Sequence, residues 1–228
     1  LSLAKLGRAQ EAVVHFREAL SLRAAYWRPH FGLGVVLTKE GKIKEAAFHL
    51  RESLKLNPDH IDGHYHLGVI LAQQGQIGEA MDYFNRVLQK DPDHSEAHYN
   101  LGVGLEGQGK ISEAIIHYQE ALRTKPDYAE PHNNLGVILS RQGKTEVALH
   151  HFREALRIKP DYAEAYGNLG NVLAEQRKFP EAVQYYSKAL QLKPDYVNAH
   201  YNLGVLLSQQ GRIREAIPHF VQVLEIKP

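Results

Sequence analysis

Residues 163–196, AEAYGNLGNVLAEQRKFPEAVQYYSKALQLKPDY, decide the fold. Tyr166, Leu169, Gly170 and Leu173 fall at helical spacing, which predicts a first helix (helix A) over 163–176. Asp161 precedes it, with Glu164 three residues on, as in a capping box; Asp93 with Glu96 and Asp127 with Glu130 repeat the pattern. A second helix (helix B) is predicted from about Pro180 to Leu192. Pro180 sits in the first turn, where its missing N–H costs little, and Pro194 blocks continuation. Ala182, Tyr186 and Ala189 form the inner stripe of helix B. Small residues at Gly170 and Ala182 let the two helices approach closely. Such a pair has one open apolar face, which it can bury only on another pair.

The same unit recurs through the chain. Gly34, Gly68, Gly102, Gly136, Gly170 and Gly204 lie 34 residues apart, each after a Leu. Ala12, Ala46, Ala80, Ala114, Ala148, Ala182 and Ala216 form a second ladder, and Pro58, Pro92, Pro126, Pro160, Pro194 and Pro228 a third. Three interlocked ladders at one period are the signature of a stacked helical solenoid. Gly7, Gly41, Gly75, Gly109, Gly143 and Gly211 align in the turn after helix A, where a left-handed cap is expected; Arg177 is the exception.

Composition narrows the function classes. The chain has 27 basic and 26 acidic residues and a net charge of +1, so its charge balance gives no case for nucleic acid or an anionic membrane. Without cysteine it has no disulfide framework, thiolate metal site or Cys nucleophile. No apolar run approaches the roughly 18 residues needed to span a bilayer, so no membrane insertion is expected. No phosphate-cradling glycine loop, nucleophile elbow or paired catalytic carboxylate is present. The reading is therefore non-catalytic, with no cofactor.

The order Leu135, Gly136, Ala148, Phe152, Ala155, Pro160 resembles the tetratricopeptide repeat (TPR) family, and the resemblance covers the whole chain. It implies an all-α fold, a right-handed superhelix (α-solenoid) of antiparallel helix pairs with about thirteen helices. The expected organisation is a single array: a partial repeat at 1–26, then repeats at 27–60, 61–94, 95–128, 129–162, 163–196 and 197–228. It reads as a piece of a longer protein. His replaces the usual aromatic at positions 30, 64, 98, 132 and 200, and Leu50 replaces the aromatic of helix B.

In this family the A helices line the concave face, so the resemblance implies a peptide or protein partner held there. One row along that face runs Phe31, Tyr65, Tyr99, Asn133, Gly167, Tyr201, its aromatics being candidate apolar anchors. Asn133 and Gly167 are expected to leave a gap for a bulky ligand side chain. A second row carries Asn100, Asn134, Asn168 and Asn202. A carboxamide both donates and accepts, so stacked Asn can grip the backbone of an extended peptide. The ladder is similar to that in the repeat arm of O-linked N-acetylglucosamine transferases. Asn171 interrupts a valine row and joins the candidate site. Asp62, Glu96, Glu130 and Glu164 form an acidic rim, suited to a basic or neutral ligand or to the helix dipole. The Lys, Arg and Asn clamp by which some relatives hold acidic C-terminal tails is not matched.

Two alternatives accompany this reading. One is a substrate-presenting arm of a larger glycosyltransferase-type enzyme. The other is head-to-tail self-association through the stack ends, with Leu3 and Leu6 on one side and Phe220 and Val223 on the other. The fourteen His follow the repeat, and His in successive repeats are too far apart for one ion with bonds of about 2 Å, so no metal site is expected. Basic residues such as Lys125, Lys159 and Lys193 fall at the ends of B helices, where they complement the dipole. Finally, Gly104 replaces the large apolar residue found at Val36, Ile70, Ile138, Val172 and Leu206. With Gly107 it predicts a soft spot over 95–109, because each glycine costs about 1 kcal/mol of helix stability relative to Ala. Amide exchange faster there than over 129–143 is the expected result.

Overall fold

The computed structural model describes residues 9–227, so Leu3 and Leu6 lie outside the described residues. Thirteen α-helices and no strand occur among them. In chain order they are α1 (Ala9–Leu22), α2 (Trp27–Lys39), α3 (Ile43–Leu56), α4 (Ile61–Gln73), α5 (Ile77–Lys90), α6 (Ser95–Gly107) and α7 (Ile111–Thr124). Then follow α8 (Ala129–Arg141), α9 (Thr145–Ile158), α10 (Ala163–Glu175), α11 (Phe179–Leu192), α12 (Val197–Gln209) and α13 (Ile213–Ile226). The chain divides into two compact units, the first ending at Thr124 and the second beginning at Lys125.

Each pair from α2–α3 to α12–α13 turns through three residues centred on a left-handed position. Gly41, Gly75, Gly109, Gly143 and Gly211 have φ between 74° and 77°, and Arg177 takes the same turn at φ 59°. A glycine reaches this region without strain, whereas Arg177 carries a Cβ there. The helix-A starts differ from the expected capping boxes. The first-turn boundary falls at Tyr128 and Tyr162, neither of which caps with its side chain, so Asp127 and Asp161 lie one residue too early. At α6 the cap is His94, whose Nδ1 accepts the Ala97 N–H at 3.2 Å.

Helix pairs close on a glycine seat. A Cβ on Gly68, Gly102, Gly136 or Gly170 would lie 2.5–2.8 Å from the ring of Phe84, Tyr118, Phe152 or Tyr186. At Gly34 the seat receives Leu50. These residues are sealed in the interior, with Phe84 and Phe152 only 1% exposed. The first unit has a core running from Phe31 to Leu101 and the second a core from Ala148 to Ala216.

The expected soft spot at Gly104 has a packed counterpart. α6 is continuous through Gly107, and Met81 from α5 takes part of the space at Gly104: a Cβ there would lie 2.9 Å from its sulfur. Gly107 has nothing around it.

Candidate functional site

Tyr65, Tyr99 and Asn100 belong to the first unit, on α4 and α6. Tyr65 is half-buried between Phe84 and His94, at ring separations of 6.1 and 4.9 Å. Burial, with the Glu96 carboxylate nearby, pushes its hydroxyl above the usual tyrosine value, and a hydrogen bond with Asn100 opposes the shift. Asn100 also donates to the Glu96 carbonyl one turn back, at 2.8 Å. Tyr65, Glu96 and Asn100 thus form one cluster. Tyr99 packs on Tyr118 at 6.0 Å. Phe31, expected as an anchor, is instead core. It is 6% exposed and meets His60 edge-on at 4.4 Å.

In the second unit the asparagines bond one another. Asn168 donates to Asn133 at 2.9 Å, and Asn133 to Asn134 at 3.3 Å. Asn202 donates to Asn171 at 2.7 Å. Each of Asn168 and Asn202 thereby spends one amide N–H and keeps the other N–H and its carbonyl, while remaining partly exposed. Tyr201 is 53% exposed and meets Phe220 edge-on at 6.3 Å.

The expected gap at Asn133 and Gly167 is not there. Asn133 is buried in the amide chain just described. Gly167 is covered by Tyr196, whose ring would lie 2.9 Å from a Cβ. The repeat supplies its own aromatic to fill the space.

Asn171 has a structural duty that sequence reasoning missed. Its Oδ1 also accepts the Tyr186 hydroxyl, at 2.8 Å. A buried tyrosine on a glycine seat must find a hydrogen-bond partner, and the other one, Tyr118, finds Glu106 at 2.8 Å. Where the seated ring is phenylalanine, as at Phe84 and Phe152, no partner is needed. The signal was in the sequence: Tyr on helix B goes with a polar residue on its own helix A. Asn171→Val should cost about 1–3 kcal/mol by orphaning the Tyr186 hydroxyl, and Tyr186→Phe should cost less. In the Tyr186→Phe background, Asn171→Val should lose most of its effect, as measured by urea unfolding.

The rim is only partly acidic in effect. Lys159 bonds Glu130 at 3.2 Å and Lys193 bonds Glu164 at 2.9 Å, so the second unit's rim acids are neutralised. The same lysines lie 4.7 and 5.4 Å from the ring centres of Tyr162 and Tyr196. In the first unit, Asp62 and Glu96 line a cleft of about 720 Å³ together with Asp59, Asp91 and Asp93. Lys90 holds Asp59 at 2.8 Å and Arg123 holds Asp93.

The histidines pair within repeats. Nδ1 of His30 lies 2.9 Å from Nδ1 of His49, as does His98 from His117 and His132 from His151; His200 and His219 are 3.0 Å apart. Ring centres 5.1–5.2 Å apart place the two nitrogens nearly head-on. At this separation one Nδ1 carries a hydrogen and donates it to the bare Nδ1 of the other ring. Among the described residues no group of three His, Cys, Asp or Glu is arranged to hold a metal, and no helix is long and apolar enough to cross a membrane.

Stacked helix pairs with left-handed turns and glycine seats define a class, and family models agree. One described as TPR repeat matches residues 107–143, 138–177 and 170–211; others described as Tetratricopeptide repeat match 1–59, 37–102 and 197–228. The chain belongs to the tetratricopeptide repeat family. No curated protein matches it in sequence. Among solved structures, it is similar to the APC/C hetero-tetramer Cut9–Hcn1, with TM-score 0.84 and 19% identity, over 100% of this chain and 45% of that one. It thus spans less than half of that relative's length. It is also similar to PilF of Pseudomonas aeruginosa (TM-score 0.77, 22% identity, 89% and 92% covered). A third is YrrB, described as a TPR protein with an unusual peptide-binding site (TM-score 0.63, 22% identity, 81% and 95% covered). At these identities the likeness establishes the fold.

Proposed function

We propose that the chain is a non-catalytic scaffold that binds a peptide or protein segment along the face of its A helices. The observation that carries this is the state of Asn168 and Asn202. Each donates one amide N–H to a neighbouring asparagine and keeps its second N–H and its carbonyl at a partly exposed position. Such groups match the N–H and C=O of an extended backbone without reading its side chains. The peptide-binding site named for YrrB and the multi-chain assembly named for Cut9–Hcn1 are consistent with the same use of the fold.

The test is a peptide array probed with the wild-type chain and with the Asn100, Asn134, Asn168, Asn202→Ala quadruple variant. Each net hydrogen bond contributes about 0.5–1.5 kcal/mol, so losing two or more should weaken retained peptides at least about fivefold. Equal binding by the variant, with helicity unchanged, would exclude the asparagine row as the contact.

A further inference from the structure

One cavity breaks the repeat. It holds about 360 Å³ and lies between α5 and α6, walled by Ile77, Met81, Phe84, Val103 and Gly104, with Asn100 at its edge. Five other repeats carry Val, Ile or Leu at the position of Gly104, so this repeat lacks the side chain that would occupy the space. Met81 turns toward the space without closing it, and Gln108 donates to its sulfur at 3.3 Å. The walls are almost wholly apolar. Val103, one of the lining residues, is 43% exposed and lies on the same stripe of α6 as Tyr99 and Asn100. Its volume falls in the lower part of the range for ligand pockets, about 300–1,000 Å³.

The second departure concerns charge and lies in the same unit. Lys125, Lys159 and Lys193 occupy one repeat position, but in repeat 61–94 that position holds Asp91. Later rim acids Glu130 and Glu164 have lysine partners; Asp62 instead shares its cleft with Asp91. Lys90 bonds Asp59, Arg123 bonds Asp93, and His94 lies 3.6 Å from Glu96. Glu96, in the first turn of α6, lies about 12 Å along the helix from Gly104. The apolar socket and the Glu96 wall of the acidic cleft thus share one short helix.

We infer that the first unit selects a segment bearing a leucine- to phenylalanine-sized side chain next to basic residues, the apolar group entering the Gly104 cavity and the cation meeting Asp62 and Asp91. The inference rests on the proposed binding face and adds its specificity. The cation gains Coulomb attraction from carboxylates that lack lysine partners. The apolar side chain gains burial in a socket that needs no rearrangement.

Met81 is the sole methionine of the chain, so methyl-labelled protein gives one reporter at the cavity wall. The probes are capped heptapeptides with Leu, Phe or Gly at the centre, flanked by lysines or by glutamates. Leu and Phe peptides with lysines should shift the Met81 methyl saturably, Gly peptides should not, and glutamate flanks should weaken binding at least fivefold. Gly104→Val, which restores the residue type of other repeats, should weaken the lysine-flanked Leu peptide at least tenfold with helicity retained. Gly104→Ala serves as the milder variant if Val disturbs folding. Asp62→Asn with Asp91→Asn should erase the preference for lysine. A Met81 methyl that stays silent while the side-chain amides of Asn168 and Asn202 shift overturns the socket and leaves the binding face standing. No shift at either place overturns both. Equal affinity for lysine and glutamate flanks overturns the charge selection.

Discussion

Phe152→Ala is expected to lower the unfolding free energy by about 3–5 kcal/mol, the range for emptying a large core aromatic site. Phe152 is 1% exposed and stands on Gly136, where an added Cβ would come within 2.6 Å of Cε1 and 2.8 Å of Cδ1. The ring is enclosed, so it cannot swing aside. Gly136→Ala alone should therefore cost about 1–3 kcal/mol through overpacking, although alanine is the better helix former by about 1 kcal/mol. The two changes are coupled. Once the ring is gone, the methyl that Gly136→Ala introduces has room, and the helix preference of alanine should show as a gain. A double-mutant cycle by urea unfolding should give a coupling of about 2–4 kcal/mol. Additive costs would mean that the seat does not close the pair. Phe152→Leu should be milder than Phe152→Ala, because Leu50 already fills the equivalent site on Gly34. Gly107→Ala, on open surface of α6, should stabilise by up to about 1 kcal/mol.

The fold was legible because its determinants are local to one repeat and copied. The Leu-Gly pair, the turn glycine and the small residues of helix B each impose a steric condition that the neighbouring residues meet. Exposure along the A-helix row was not legible, because it depends on what the adjacent loop contributes. Phe31 and Tyr201 share a repeat position, yet His60 seals Phe31 while Tyr201 stays open. Gly167 looked like a gap because Tyr196, the residue that covers it, lies 29 positions away in the sequence. The partly acidic rim has the same cause: Glu130 and Glu164 read as free charge until Lys159 and Lys193 arrive from the far end of helix B. The histidine pairs are legible in the sequence within a repeat and not along the rows that run from repeat to repeat. Comparison within a repeat shows His with His at 30/49, 98/117, 132/151 and 200/219, and Tyr with Tyr at 166/185, where the rings stack at 6.1 Å.

Lowering the pH from 7.5 to 5 is expected to destabilise the fold through these pairs. Nε2 of His98, His132 and His200 lies 3.0, 3.3 and 2.8 Å from the carbonyls of Pro92, Pro126 and Pro194. A carbonyl only accepts, so Nε2 carries the proton. In the neutral ring Nδ1 is then bare and accepts from the Nδ1–H of the helix-B histidine. One added proton leaves a single N–H between the rings; a second would set N–H against N–H. Burial, then the partner ring, holds His49, His117 and His219 below the usual 6.5 and takes His151 down to about 4. Burial also lowers His132, against the Pro126 carbonyl and Glu154, which raise it. Glu45, Glu52, Glu113 and Glu120 similarly oppose the shifts at His49 and His117. With the folded values depressed, the unfolded chain binds more protons below pH 6.5, so this stability is complete above that value and is lost as pH falls. One pKa unit corresponds to about 1.4 kcal/mol. Discounted for a half-exposed ring, the His132/His151 pair, where burial and the partner ring take His151 down to about 4, contributes on the order of 1 kcal/mol. That pair alone should lower Tm by about 2–4 °C between pH 7.5 and 5, and the depressed His49, His117 and His219 act in the same direction. The double substitution His132→Tyr, His151→Tyr copies the stacked pair at Tyr166 and Tyr185. It should leave Tm at pH 8 nearly unchanged and reduce the acid sensitivity by the share of the His132/His151 pair. A Tm that is flat from pH 7.5 to 5, or a slope unaffected by the double substitution, would show that the paired rings do not carry the proton linkage.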